Sequence, residues 1–176
     1  MIIIYIILAI IAVVLIAALL VSKDMNYEKS IVINSNIEKV WNNVSSLGAM
    51  DKWSPWRDKD PNMKQTLTGT DGTVGATQAW ESKVKNVGAG SQTIINLVEP
   101  TLLETKLNFL KPFKSTADAY VKLSDQGENT KATWGFKSKM PYPMNLMKLF
   151  MNFEKEMDKE FGTGLGRLKD ISEKNS

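Results

Sequence analysis

The chain has no cysteine and no histidine. The first absence excludes disulfides, thiolate nucleophiles, Cys-ligated metals and a lipid-modified cysteine anchor. The second removes the commonest metal ligand and the usual general base near neutral pH. A dominant charge is lacking too: 22 Lys+Arg against 19 Asp+Glu leave a formal net charge of +3, too little for a nucleic-acid footprint, so no nucleic-acid partner is expected. Acid–base chemistry would fall to Asp, Glu, Tyr or Lys, and a carboxylate must be buried or paired to reach a useful pKa. No cofactor or metal is expected.

Residues 2–21 form an unbroken apolar run in which Tyr5 is the only polar-capable side chain. At 1.5 Å per residue such a run spans about 30 Å, the thickness of a bilayer's hydrocarbon core. A cleaved signal peptide is the competing reading. Against it stand the absence of Lys or Arg before the run, its length, and the lack of a small-x-small cleavage site in Ala17-Ala18-Leu19-Leu20-Val21-Ser22. The expectation is a single-pass membrane protein with an anchor at 1–22, a linker at 23–26, one domain at 27–172 and a tail at 173–176. Lys23 and Lys29 weakly favour a cytoplasmic domain, although Asp24 and Glu28 offset them.

After the anchor, residues 27–34 are rich in β-branched side chains and read as a strand. Ser35-Asn36-Ile37-Glu38 fits a capping box with Ser35 at the N-cap, so a short helix should carry Val40, Trp41 and Val44, and a second should cover 47–53. Six strand-like segments follow at 63–68, 75–82, 91–98, 102–110, 115–123 and 130–137. Their spacing of about ten residues and the turn signals between them predict an antiparallel meander. Alternation places Leu103, Thr105, Leu107 and Phe109 on one side, with Ala117, Ala119, Val121 and Leu123, and with Ala132, Trp134 and Phe136.

The last segment, 144–171, carries Leu146, Met147, Phe150, Phe153, Met157, Phe161, Leu165, Leu168 and Ile171 at three- and four-residue steps, the stripe of one long helix. Its methionine-rich first half is expected to touch ligand. The second half is expected to anchor structurally, with Gly162, Gly164 and Gly166 either permitting close packing against the two short helices or marking a bend.

The order strand, two short helices, six strands, long helix is similar to the helix-grip fold of the START and Bet v 1-like (SRPBCC) superfamily. The wording resembles its polyketide cyclase/dehydrase-like branch: Ser30-Ile31-Val32-Ile33-Asn34, Glu38-Lys39-Val40-Trp41, Trp53-Ser54-Pro55-Trp56, Trp80-Glu81, Pro112-Phe113 and Met140-Pro141-Tyr142-Pro143-Met144. The resemblance implies an α+β fold, a seven-stranded curved antiparallel sheet gripping the C-terminal helix, with a hydrophobic cavity between them. Candidate cavity residues are Trp80, Leu107, Phe109, Val121, Trp134, Phe136, Met147, Phe150 and Met151. It also implies that the first strand lies beside the last, which puts the cavity mouth at the anchor's end. Trp53, Trp56, Lys111, Phe113, Lys114 and Lys139 are the candidate membrane-facing mouth, with Lys83, Lys85, Lys137 and Tyr142 near it.

The expected partner is a lipid or other hydrophobic small molecule, held by a monomer. A polyketide cyclase/dehydratase-like enzyme is the alternative and a protein-binding, co-chaperone-like module a weaker one. No catalytic residue is nominated, because alternation turns Glu81, Glu104 and Asp118 away from the cavity side. The turn at 69–75 lacks the Gly-Lys-Ser/Thr ending of a phosphate-binding loop and reads as a hairpin.

Overall fold

A computed structural model describes residues 1–150 and 152–174. The apolar run is a helix, α1 (Ile2–Leu20), followed after three residues by β1 (Asp24–Ile33). The strand therefore takes up most of the expected linker. Two short helices, α2 (Ile37–Asn42) and α3 (Leu47–Asp51), and a 3-10 turn at Pro55–Lys59 precede β2 (Lys64–Thr68), β3 (Thr77–Glu81), β4 (Ala89–Val98), β5 (Leu102–Lys111), β6 (Ser115–Gln126) and β7 (Asn129–Lys139). The strands form one antiparallel sheet in the order β1-β7-β6-β5-β4-β3-β2.

The cap of α2 sits one residue later than expected. Asn36 accepts the Lys39 N–H at 3.0 Å, while Ser35 is buried and its carbonyl accepts the Thr130 hydroxyl at 2.8 Å. Both residue types cap well; the tie to β7 decides between them. The Asp71 carboxylate of the β2–β3 turn accepts the Leu47 and Gly48 N–H groups at 2.8 and 2.9 Å and fastens the start of α3. That turn is a hairpin with a structural acid at its tip.

The expected continuous C-terminal helix is broken. Met144–Leu149 is a separate 3-10 segment, and α4 runs only from Phe153 to Lys174. Parallel to β1, α4 is bound to it along its length: Lys29 and Tyr27 both donate to Asp158 at 2.6 Å, and Glu173 accepts the Asn34 N–H at 2.7 Å. Between α4 and the sheet lies an aromatic stack. Trp134 stacks on Phe161 at 4.1 Å between centroids, Trp53 meets Trp134 edge-on at 4.8 Å, and Tyr27 meets Phe161 edge-on at 5.4 Å. Only one of the three α4 glycines explains this approach. A Cβ on Gly164 would lie 2.6 Å from the Trp134 ring, whereas Gly166 faces open space.

Candidate functional site

The registers bring one end of the sheet together: Glu81, Ala89 and Lys111 are lateral neighbours, Phe109 pairs with Ser115, and Asp24 pairs with Lys139. This is the end at which α1 leaves the domain. Trp80, Leu107, Phe109, Val121, Trp134 and Phe136 share the face turned to α4, and they divide into two groups. Val121 and Trp134 are buried, built into the core with Phe161. Both pack in the core, apart from the half-exposed members of the set.

Trp80, Leu107, Phe109 and Phe136 are only half-buried, at the α1 end of the same face. Trp80 meets Phe109 edge-on at 5.9 Å, and Phe136 lies 6.3 Å from Phe153 in the first turn of α4. Gly90 makes room for this group, since a Cβ there would fall 2.5 Å from the Trp80 ring. Ala117 and Ala119 lie small and buried beside them on β6. Sequence reasoning missed Gln92, which paired positions place beside Leu107 and whose amide donates to the Thr105 hydroxyl at 3.0 Å. Its signal was an amide two residues from Gly90 and two from Ile94, on the inward phase of the strand. This half-exposed apolar group, with one neutral amide–hydroxyl pair, is the candidate cradle.

The remaining candidates lie elsewhere. Met147 and Phe150 are 48% and 88% exposed, on and just after the 3-10 segment that precedes α4. Met151 lies outside the described residues. Trp53 is no mouth residue: its indole N–H donates to the Asn43 carbonyl at 2.9 Å and its ring is fully buried against Trp134. Trp56 is exposed beneath the Lys59 ammonium, 4.6 Å from the ring, and Lys59 is tied to Glu160 two turns into α4, so this pair sits on the flank.

Lys111, Phe113, Lys114 and Lys139 are exposed at the rim. Lys111 and Lys139 make only long contacts to Glu81 and Asp24, at 3.8 and 3.9 Å, so their charge is little neutralised. Lys137 faces the outer side, 5.3 Å above the Tyr120 ring.

The acids of the sheet also face outward: Asp118 pairs with Lys106 at 2.8 Å and Glu104 accepts from Asn96 at 2.8 Å. On that outer face a depression of about 530 Å³ is lined by Glu28, Tyr120, Lys122 and Lys131 among others. Burial, and then the hydrogen bond to Glu28, push the Tyr120 phenol from 10.0 up to about 12. Burial and the Asp158 bond do the same to Tyr27. In turn Lys29, and then Tyr27, hold the Asp158 carboxyl below its ordinary range.

A tyrosine whose pKa is raised by folding stabilises the fold fully below pH 10.0 and loses that contribution as pH climbs towards about 12. Following phenolate absorbance should therefore show Tyr27 and Tyr120 ionising late. In the double variant Tyr27→Phe, Tyr120→Phe the late absorbance should fall by two phenolates; an unchanged late amplitude would contradict both hydrogen bonds.

A seven-stranded antiparallel sheet with a long C-terminal helix bound against it defines an α+β helix-grip domain. A family model described as "Polyketide cyclase / dehydrase and lipid transport" matches residues 25–173, and the chain belongs to that family of hydrophobic ligand-binding domains. Solved structures agree on the fold. A Nitrosospira multiformis protein is 17% identical with a TM-score of 0.60, over 83% of this chain and 94% of that one. The Mll3558 protein of Rhizobium loti is 11% identical with a TM-score of 0.61, over 84% and 96%. The Aha1 dimer protein of Colwellia psychrerythraea is 14% identical with a TM-score of 0.56, over 85% and 96%. At these identities the likeness speaks for the fold alone. No curated protein matches the chain.

Proposed function

We propose that the chain is a membrane-tethered module that holds a lipid or another apolar molecule in the cradle of Trp80, Leu107, Phe109 and Phe136, admitted from the end at which α1 departs. The observation that carries this reading is the division of the inner face. Its far half is filled by the Trp53–Trp134–Phe161 stack, and its near half, towards the end of the sheet that α1 precedes, keeps four large apolar side chains half-exposed. Family membership supports the ligand class. The tether rests on α1, which is 19 residues long with a mean hydropathy of 3.4. A bilayer is the medium in which such a surface costs nothing to expose.

Native mass spectrometry of the full chain released from lipid nanodiscs tests the reading. The expected result is a population carrying the added mass of an apolar molecule, displaced by a fluorescent acyl probe. Bare protein that also fails to take up the probe would refute it. The cyclase or dehydratase reading draws on the family description but finds little on the cradle to move a proton, because Gln92 and Thr105 are neutral and Glu104 and Asp118 face away.

A further inference from the structure

The 3-10 segment Met144–Leu149 holds the carboxyl end of α1. The Asn145 amide donates to the carbonyls of Ala18 and Val21, both at 2.7 Å, and the Tyr142 hydroxyl donates to the Leu15 carbonyl at 3.2 Å. The Lys148 ammonium donates to the carbonyls of Ser22 and Asp24, and the Met140 N–H to that of Lys23 at 2.8 Å. A helix ends with carbonyls that have no partner within it, and in hydrocarbon each unpaired one is costly. Here a distant segment supplies the donors. Asn145 is wholly buried, Ala18 is the one buried residue of α1, and the Asn145 Oδ1 has no partner of its own. The outward side of the same segment is apolar and uncovered: Met144 is 41% exposed, Met147 48%, Leu149 65% and Phe150 88%.

We infer that residues 144–150 form a foot lying in the headgroup boundary of the bilayer that α1 spans, clasped to α1 through Asn145, with Leu149 and Phe150 inserted among the acyl chains. The occupant follows from continuity: the uncovered side chains stand at the end of a helix whose own surface is apolar all round, and the surface beside a spanning helix is lipid. Tyr142 and Lys148 are side chains with an apolar stem and a polar tip, suited to that depth. The inference rests on α1 being in a membrane, and it moves Met147 and Phe150 from ligand contact to lipid contact. It also accounts for the break before α4. A segment engaged by α1 cannot continue α4 across the cradle, so the cradle stays open on the membrane side.

The cysteine-free sequence permits single-site labelling of the full chain in phosphatidylcholine–phosphatidylglycerol vesicles. An environment-sensitive fluorophore is placed in turn at Ile11→Cys, Leu149→Cys, Phe150→Cys and, as an aqueous control, Lys122→Cys on the outer sheet face. Lipids spin-labelled near the headgroup should quench the probes at 149 and 150, lipids labelled near the acyl terminus should quench the probe at 11, and neither should quench the probe at 122. A deep probe at 11 with probes at 149 and 150 that behave like the control would overturn the foot while sparing the tether. A probe at 11 that no lipid quenches would overturn both. Adding Asn145→Leu removes both amide bonds and should shift the docked–undocked equilibrium by about tenfold or more, seen as lost quenching at 150 with that at 11 unchanged. Unchanged quenching at 150 would remove Asn145 from the clasp.

Discussion

Truncating Trp134 to alanine should lower folding stability by about 3–5 kcal/mol, the range for deleting a buried large aromatic. That corresponds to a fall of about 6–20 °C in melting temperature for a chain of this size. The size of the effect follows from position. Trp134 is 5% exposed, stacks on Phe161 at 4.1 Å, receives the edge of Trp53 at 4.8 Å and lies against Gly164 of α4. Its loss leaves a void bounded by the sheet, α4 and the loop before Pro55, which three separate elements would have to close. Thermal unfolding followed by circular dichroism on the full chain in mild detergent measures it. A change below about 1 kcal/mol would mean that this end of the fold is loosely packed and available to ligand after all.

Leu107→Asp should cost the cradle its ligand rather than the protein its fold. Leu107 is half-buried on the inner face, between Gln92 on β4 and Ala117 on β6. A carboxylate there stays hydrated while the cradle is empty. An apolar occupant would have to strip that water, at a cost of several kcal/mol, and uptake of an acyl probe should fall at least about tenfold. The melting temperature should fall much less than in Trp134→Ala. Leu107→Ala, which keeps the face apolar, should retain most uptake. Equal uptake by the aspartate variant and the native chain would place the ligand elsewhere.

The sheet was legible because its signals are local. Leu103, Thr105, Leu107 and Phe109 alternate with polar residues, and turn residues mark each reversal, so the face and the order from β2 to β7 follow from neighbours in sequence, while the place of β1 beside β7 rested on the family resemblance. The break in the C-terminal segment was not legible, since an apolar stripe at helical spacing looks the same whether it lies on a sheet or on another helix. The donors that settle the matter reach carbonyls about 125 residues away in sequence. Trp53 misled for a related reason. An indole in a charged loop fits a membrane interface equally well, and only the Asn43 carbonyl that satisfies its N–H makes full burial possible. Within the cradle, the large side chains were visible as an alternating face. Which of them remain uncovered depends on where α4 begins, and that is a tertiary fact.

The short passage from α1 to β1 sets how far the domain can travel. Only Val21, Ser22 and Lys23 intervene, a reach of about 10 Å when fully extended, and the hydrogen bonds to Asn145 and Lys148 take up even that slack. With α1 in a bilayer, the cradle samples only the lipids immediately around its own helix, at a local concentration set by the membrane and independent of the cytoplasm or any other bulk phase. Such a protein cannot ferry cargo across an aqueous gap. On the proposed tether and cradle, an apolar molecule taken up would be passed to something that diffuses in the same membrane or arrives from solution, so delivery would be a matter of encounter rather than transit.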